Sequence, residues 1–170
     1  MSILDWPLIA QTRRNHGLEH ATVHILGARY PGLGIVGRSM PNCIYIYGNL
    51  TAEQIQSAAA EALARLRAGE SHLVIHPGCG TNLVTSGTLA GAAAFTVINF
   101  GQRRRRTRWD TLPLAILAAT FALIIAQPLG PFFQERVTTS ADMSTMEILG
   151  VWPLRANTGG LPVHRIDTRS

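Results

Sequence analysis

The chain has 170 residues, enough for one small domain with a membrane anchor, and a formal net charge of +5 that arginine alone carries, because lysine is absent. Five of the fifteen basic residues lie in the short segment Arg103–Arg108. Charge concentrated in this way argues against a nucleic-acid-binding face, which needs basic residues spread over a surface. Two cysteines are also too few for a disulfide scaffold.

The first predicted element is a helix over roughly residues 8–27, which contains three of the six histidines. At about 100° per residue, His16, His20 and His24 lie at about 0°, 40° and 80° around the helix, and Glu19 lies at about 300°. These four side chains share one face, and apolar residues occupy the opposite face. Neutral imidazole is the commonest protein metal ligand, so the pattern predicts a metal site.

A β-α-β unit is predicted after this helix. The two strands around a Met40–Asn42 turn cover 34–38 and 43–48. Thr51 and Gln54 have the spacing of a capping box at the start of a helix over 51–68, and Gly69 ends that helix. A third strand is predicted over 71–76, which would place His72 and His76 on the same side of a sheet.

Two uncharged segments follow, 81–100 and 111–133, and each has about the length needed to cross the hydrocarbon core of a membrane. The alternative is a pair of buried core helices in a soluble protein, but so short a chain has little room for them. We therefore predict a two-span hairpin in a bacterial cell membrane. The loop Arg103–Arg108 is predicted to be cytoplasmic by the positive-inside rule.

Small residues on the two spans predict close helix packing. Gly87 and Gly91 have the spacing of a small-residue contact face on the first span, and alanines from Ala115 to Ala122 give the second span a similar face. The lipid bilayer is the predicted partner of the hairpin. The Gly87/Gly91 face is also a candidate contact for a second copy of the chain.

The end of the chain is predicted to form a strand pair, 146–152 and 161–167, with a turn at Gly159-Gly160. A lone two-stranded ribbon is marginally stable, so these strands are expected to join the N-terminal sheet. The predicted fold class is α+β: a small mixed domain with an inserted two-helix transmembrane hairpin. Residues 1–80 form its N-terminal α/β segment, residues 81–133 form the hairpin, and residues 134–170 supply the C-terminal strands.

One helix seldom supplies a complete metal site, so another ligand is expected from elsewhere. The best source is the segment containing His76 and Cys79, because a cysteine beside a metal loses its proton and binds strongly. His164 is a weaker candidate on the last strand. Cys79 could instead be a small buried residue, and Cys43 could pair with it in a disulfide. The predicted metal ligands are His16, His20, His24, His76 and Cys79, and the predicted metal is zinc.

Several motifs resemble those of a known family. They are Asn15–His24, with the pattern His-x-x-Glu-His-Ala-Thr-x-His, and 76–82, with His-Pro-x-Cys-Gly-Thr-Asn, together with Tyr45–Gly48, Ala62–Glu70 and Val137–Ser140. The combination resembles a family of uncharacterised bacterial membrane proteins, a domain of unknown function of cyanobacterial and Chloroflexi type. A second membrane family is similar at a His-Gly-Ala-Glu-His segment and a later Cys-Gly-Thr, which would place His16, Glu19, His20 and Cys79 in one site.

A third resemblance concerns possible catalysis. His16, Glu19 and His20 match the inverted zinc-peptidase pattern of two ligands and one acid/base carboxylate. The downstream glutamate ligand of that family has no clear counterpart here, although Glu61 is available. The sequence thus predicts a membrane protein with a zinc site, either a metal-dependent hydrolase with Glu19 as general acid/base or a non-catalytic scaffold with a structural histidine cluster.

Overall fold

The computed structural model describes residues 2–103, 107–154 and 161–170. Within these ranges the chain forms four α-helices and a four-stranded antiparallel sheet, which confirms the predicted α+β class. The elements in chain order are α1 (Pro7–Arg29), β1 (Val36–Ser39), β2 (Cys43–Tyr47), α2 (Ala52–Arg67), α3 (Gly80–Arg103), α4 (Arg108–Phe133), β3 (Glu147–Leu154) and β4 (Val163–Arg169). Short helical turns cover Ile3–Asp5, Ser71–Val74 and Gln134–Thr138.

Contacts divide the chain into two compact units. One contains Met1–His76 and Glu135–Ser170, and the other is Pro77–Gln134. The first unit holds the sheet with α1 and α2, and the second holds α3 and α4.

The sheet has the strand order β1-β2-β4-β3, so strands from before and after the helical hairpin are hydrogen-bonded neighbours. In the central pair, Ile44 lies opposite Ile166, and both side chains are completely buried. They pack in one core cluster with Leu18 and Leu26 of α1 and Ile55 of α2. Burial of each such side chain contributes about 1.5–3 kcal/mol, so this layer of helices on a sheet stabilises the first unit.

The boundaries of α2 follow the predicted signals. The Thr51 side chain accepts a hydrogen bond from the Gln54 N–H, and the Gln54 side chain accepts one from the Thr51 N–H. Gly69 has a φ of +97° just after the helix, a left-handed conformation that glycine adopts without steric cost.

The predicted strand over 71–76 is wrong, because Ser71–Val74 is a turn of 3-10 helix. Leu73 and Val74 are both buried although they are neighbours in sequence. A strand would send them to opposite faces, whereas a tight helical turn lets both enter the core. The β-α-β unit and the shared side for His72 and His76 are therefore wrong as well.

Two helices are long and apolar enough to cross a membrane, Gly80–Gly101 and Trp109–Thr138, and all of their residues except 135–138 belong to the second unit. Large apolar side chains along them are exposed, for example Phe95, Ile116 and Ile125. The α4 helix begins at a capping box between Thr107 and Asp110, a start signal that the sequence analysis missed.

The two helices pack along a different seam from the one predicted. An added Cβ would meet nothing within 4 Å at Gly87 or Gly91, whereas at Gly101 it would collide with Thr111 and at Gly130 with Asn82. Close approach thus occurs at the ends of the hairpin, and the Gly87/Gly91 face is turned away from α4. On α4, Ala115 is buried, as the predicted small-residue face requires.

The predicted binding of a second copy through the Gly87/Gly91 face stays a prediction. The predicted Gly159-Gly160 turn and residues 104–106 of the arginine segment lie outside the described residues.

Candidate metal centre

Four imidazole rings of the first unit form one continuous cluster. The ring centroids of His16 and His20 are 4.4 Å apart, those of His20 and His76 are 5.6 Å apart, and those of His24 and His76 are 4.8 Å apart. Three of the rings come from successive turns of α1, as the helical spacing predicted. His76 joins them because the turn Ser71–Val74 packs against α1.

Backbone carbonyls fix the proton positions on two of these rings. His16 Nδ1 lies 3.0 Å from the carbonyl oxygen of Thr138, and His20 Nδ1 lies 2.6 Å from that of Val74. A carbonyl oxygen can only accept, so each Nδ1 carries the proton and donates it. A neutral imidazole with its proton on Nδ1 has its lone pair on Nε2, the arrangement that metal-binding histidines adopt when a second partner orients them.

A backbone carbonyl also anchors the ring of His24, and the ring of His76 is neutral. His24 Nε2 donates to the carbonyl oxygen of Ile75 at 2.8 Å, which leaves its lone pair on Nδ1. Burial lowers the pKa of His76 from 6.5 to about 4, and the neighbouring His24 and His20 act in the same direction. His76 is therefore neutral at physiological pH, the state in which imidazole can bind a metal.

The partner of His16 is held in place by a close approach at Gly17. A Cβ on Gly17 would collide with the carbonyl oxygen of Ser140, so the chain at 138–140 passes directly over α1. Ser140 N–H donates to the carbonyl oxygen of Arg13 at 3.0 Å, and the Arg13 guanidinium donates to the carbonyl oxygen of Thr139 at 3.0 Å. These contacts hold the Thr138 carbonyl within hydrogen-bond distance of His16 Nδ1.

Two of the predicted metal ligands are neighbours within the first unit. The imidazole rings of His16 and His20 are in edge contact, and His20 is buried. Cys79, a further predicted ligand, belongs to the second unit and is also buried. The Cys79 sulfur accepts a hydrogen bond from the Thr81 N–H at 3.4 Å, at the start of α3. Amide donors at a helix start stabilise negative charge, which a metal-bound sulfur carries.

The side chain of Glu19, the predicted acid/base residue, lies against β1. Glu19 is 7% exposed, and a Cβ on Gly37 of β1 would stand 2.6 Å from its Cγ atom. The carboxyl group therefore packs against the backbone of β1. Its proposed catalytic role stays a prediction.

The other candidate residues of the sequence, His164, Glu61 and Cys43, lie on β4, α2 and β2. His164 is buried on β4, where it pairs with Ile46 of β2. Glu61 forms ion pairs with Arg29 and Arg65 on the surface of α2, so it serves there as a partner of arginines. Cys43 is buried in β2, and neither cysteine is in a disulfide.

Sequence reasoning missed two features of the site. One is the set of backbone carbonyls, which carry no signal in residue type. The other is Asn15, which is 1% exposed and donates to the carbonyl oxygens of Met40 and Pro41 at 2.8 and 2.9 Å. Its amide oxygen accepts a hydrogen bond from the Thr168 hydroxyl at 2.7 Å. Asn15 thereby connects α1 to the β1–β2 turn and to β4. Its position next to His16 was the feature of the sequence that could have identified it.

Comparison with known proteins places the chain in a family. Residues 11–151 match the model of a domain of unknown function, DUF6391. The chain belongs to this family. An uncharacterised protein of Picosynechococcus sp. is 32% identical to it over 92% of this chain and 78% of that protein. No solved structure matches the chain. The resemblance to a cyanobacterial-type family of unknown function is thus confirmed.

Proposed function

We propose that the protein is a membrane-anchored zinc-binding protein in which His16 and His20 bind the ion, with Cys79 as the third ligand that its sequence motif predicts. The observation that carries this proposal is the pair of hydrogen bonds from His16 Nδ1 and His20 Nδ1 to backbone carbonyls. They preset both rings with the lone pair on Nε2, at no cost in tautomer or orientation when a metal binds.

The donor set favours zinc. Two imidazoles and one thiolate are typical zinc ligands, whereas magnesium and calcium prefer oxygen. The buried setting of His20 and Cys79 also suits a metal site, because binding replaces the water that such polar groups lose on folding.

The two apolar helices support the membrane anchor. Exposed side chains such as Phe95, Phe121 and Ile125 would present a large apolar surface to water, which soluble monomers rarely do. In a bilayer the same side chains contact lipid, and the helices satisfy their own backbone hydrogen bonds. We place the Arg103–Arg108 loop in the cytoplasm, and the sheet-containing unit on the other side of the membrane.

Metal analysis of the full chain tests the zinc site. The protein is purified in detergent without chelator, and zinc per chain is measured by plasma mass spectrometry. We expect about one zinc per chain in the wild type and almost none in His16→Ala/His20→Ala or in Cys79→Ser. His72→Ala is the matched control, because His72 is exposed and lies outside the cluster.

Two results would overturn the proposal. One is a wild-type protein without zinc. The other is full zinc retention in the His16→Ala/His20→Ala variant. Loss of zinc from the His72→Ala control would indicate unfolding or nonspecific binding, and would count against the site as well.

A hydrolase is the second candidate function. Three protein ligands leave one position of a tetrahedral zinc ion for water, the arrangement of catalytic zinc sites. Glu19 precedes the ligand His20 directly and is buried, so we assign it the acid/base role in this candidate. Glu19→Gln should keep zinc and lose turnover of amide substrates. Retained turnover would remove Glu19 from the mechanism.

The non-catalytic alternative gives Glu19 a packing role against Gly37. In that case the zinc ion joins α1 to the segment that contains Cys79 and supports the domain of a scaffold protein. Removing a ligand then lowers the melting temperature, and Glu19→Gln changes stability alone. Measuring turnover and melting on the same variants separates these two candidates.

A further inference from the structure

A cleft opens beside the histidine cluster in the first unit. It has a volume of about 380 Å³ and is lined by His24 and His76 together with aliphatic side chains of Val23, Leu33 and Ile35. Gly27 also lines it, and an added Cβ there would meet nothing within 4 Å. These two imidazoles lie outside the group of three proposed zinc ligands.

The rings form a path from the cleft to that group. His24 and His76 are in edge contact at 4.8 Å between centroids, His76 is 5.6 Å from His20, and His20 is 4.4 Å from His16. These contacts make a continuous series of imidazoles from the cleft to His16. His24 donates through Nε2 to Ile75, so its Nδ1 atom carries the lone pair.

We propose that His24 and His76 form a second, transient subsite for a divalent cation, through which the metal enters from the cleft and passes to His16, His20 and Cys79. This inference rests on the proposed zinc site. Two imidazoles bind a cation more weakly than two imidazoles and a thiolate, so transfer toward Cys79 is favourable. At each step one ligand replaces another, and the Cys79 thiol releases its proton to water when its sulfur binds the metal.

The kinetics of metal loading test this path. The detergent-solubilised full chain is stripped with chelator, dialysed and mixed rapidly with Co²⁺, and the absorption of thiolate-bound cobalt is followed. Two variants alter the path, namely His24→Gln/His76→Gln, which removes the imidazoles, and Gly27→Leu, which fills the cleft. Ala60→Leu is the matched control, because Ala60 lines a separate cleft of about 390 Å³ between α2 and β3.

We expect both path variants to load at least about tenfold more slowly than the wild type, with the same final cobalt content, and the control to load at the wild-type rate. Unchanged loading rates in the path variants would overturn the inference and leave the zinc site intact. Loss of final cobalt in His24→Gln/His76→Gln would also overturn it, since these residues would then be resident ligands. A wild type that binds no cobalt would refute the metal site itself, and the path with it.

Discussion

The carbonyl oxygen of Ser140 occupies the space that a Cβ atom on Gly17 would need. Only glycine at this position lets the chain at 138–140 cross α1 so closely. The crossing places the Thr138 carbonyl 3.0 Å from His16 Nδ1. Gly17 therefore orients a proposed metal ligand through the backbone of a distant segment, without contacting the metal.

A methyl group at Gly17 should disturb both stability and metal binding. We expect Gly17→Ala to lower the free energy of unfolding by about 1–3 kcal/mol, because the added carbon forces the two backbones apart. Gly27→Ala is the matched control on the same helix, and it should raise stability by up to about 1 kcal/mol through helix propensity. Denaturant unfolding and zinc titration measure both effects. Equal behaviour of the two variants would contradict this role of Gly17.

The contact between Glu19 and Gly37 predicts a compensating pair. Gly37→Ala should destabilise the protein, because its Cβ would overlap the Glu19 side chain. Glu19→Ala/Gly37→Ala should recover some of that loss, since the obstructing carboxylate is gone. A double-mutant cycle on the free energy of unfolding measures the coupling. Strictly additive effects would show that the two residues are not in contact.

Asn15 should be one of the most sensitive polar positions. Asn15→Ala leaves the carbonyls of Met40 and Pro41 and the Thr168 hydroxyl without this hydrogen-bond partner. Thr168 is buried, and a buried group left unsatisfied costs about 1–3 kcal/mol. Thr168→Val removes only one of these hydrogen bonds and should cost less. The unfolding midpoint in urea is measured for both variants, and that of Asn15→Ala should be the lower. A Thr168→Val variant that is the less stable of the two would contradict the assignment.

The elements of the fold that local sequence signals encode were predictable. The imidazole face of α1 followed from a helical spacing of four, and the capping box at Thr51 and Gln54 fixed the start of α2. Both features depend on residues only a few positions apart, so the local sequence is sufficient to predict them.

Features that depend on distant chain segments were predictable only in part. The C-terminal strands do join the N-terminal sheet, as the instability of a lone strand pair led us to expect, but other long-range features were not predicted. The segment 71–76 was predicted to be a strand, yet packing against α1 selected a 3-10 turn that buries Leu73 and Val74 together. The Gly87/Gly91 spacing suggested the seam of the hairpin, but the close approaches lie elsewhere. Carbonyl partners of His16 and His20 are backbone atoms, which every residue type supplies equally.

Acid should destabilise the metal-free protein partly through His164. Burial lowers the pKa of His164 below 6.5, and its buried Nδ1 atom has no hydrogen-bond partner among the described residues. Below pH 6.5 the unfolded chain therefore binds more protons at His164 than the folded chain does. The contribution of neutral His164 to the free energy of unfolding is complete above pH 6.5 and decreases as the pH falls.

The free energy of unfolding measured at two pH values tests the contribution of His164. Between about pH 7 and about pH 5.5, the wild type should lose more stability than His164→Leu, which cannot titrate at this position. Chelator is present throughout, so loss of metal does not add to the change. Parallel curves for the two proteins would exclude His164 as a source of the acid sensitivity.

Removal of the metal should lower the melting temperature. A ligand that binds only the folded state stabilises it by about 2.7 kcal/mol at a free concentration of about one hundred times its dissociation constant. Adding zinc to chelator-stripped protein should therefore raise the melting point of the wild type and of His72→Ala. The same addition should leave the melting point of Cys79→Ser unchanged. Thermal unfolding with and without zinc measures both effects. An equal rise in Cys79→Ser would mean that zinc acts elsewhere.

The strand order has a consequence for synthesis of the protein. β2 is hydrogen-bonded to β4, and the two strands are separated in sequence by α2 and the whole helical hairpin. While the nascent chain leaves the ribosome, β2 has no partner on that side until β4 has also emerged. The apolar helices α3 and α4 therefore leave the ribosome before the sheet can close. His16 meets the carbonyl of Thr138 only after both helices have been synthesised, so the proposed metal site forms after the proposed membrane spans.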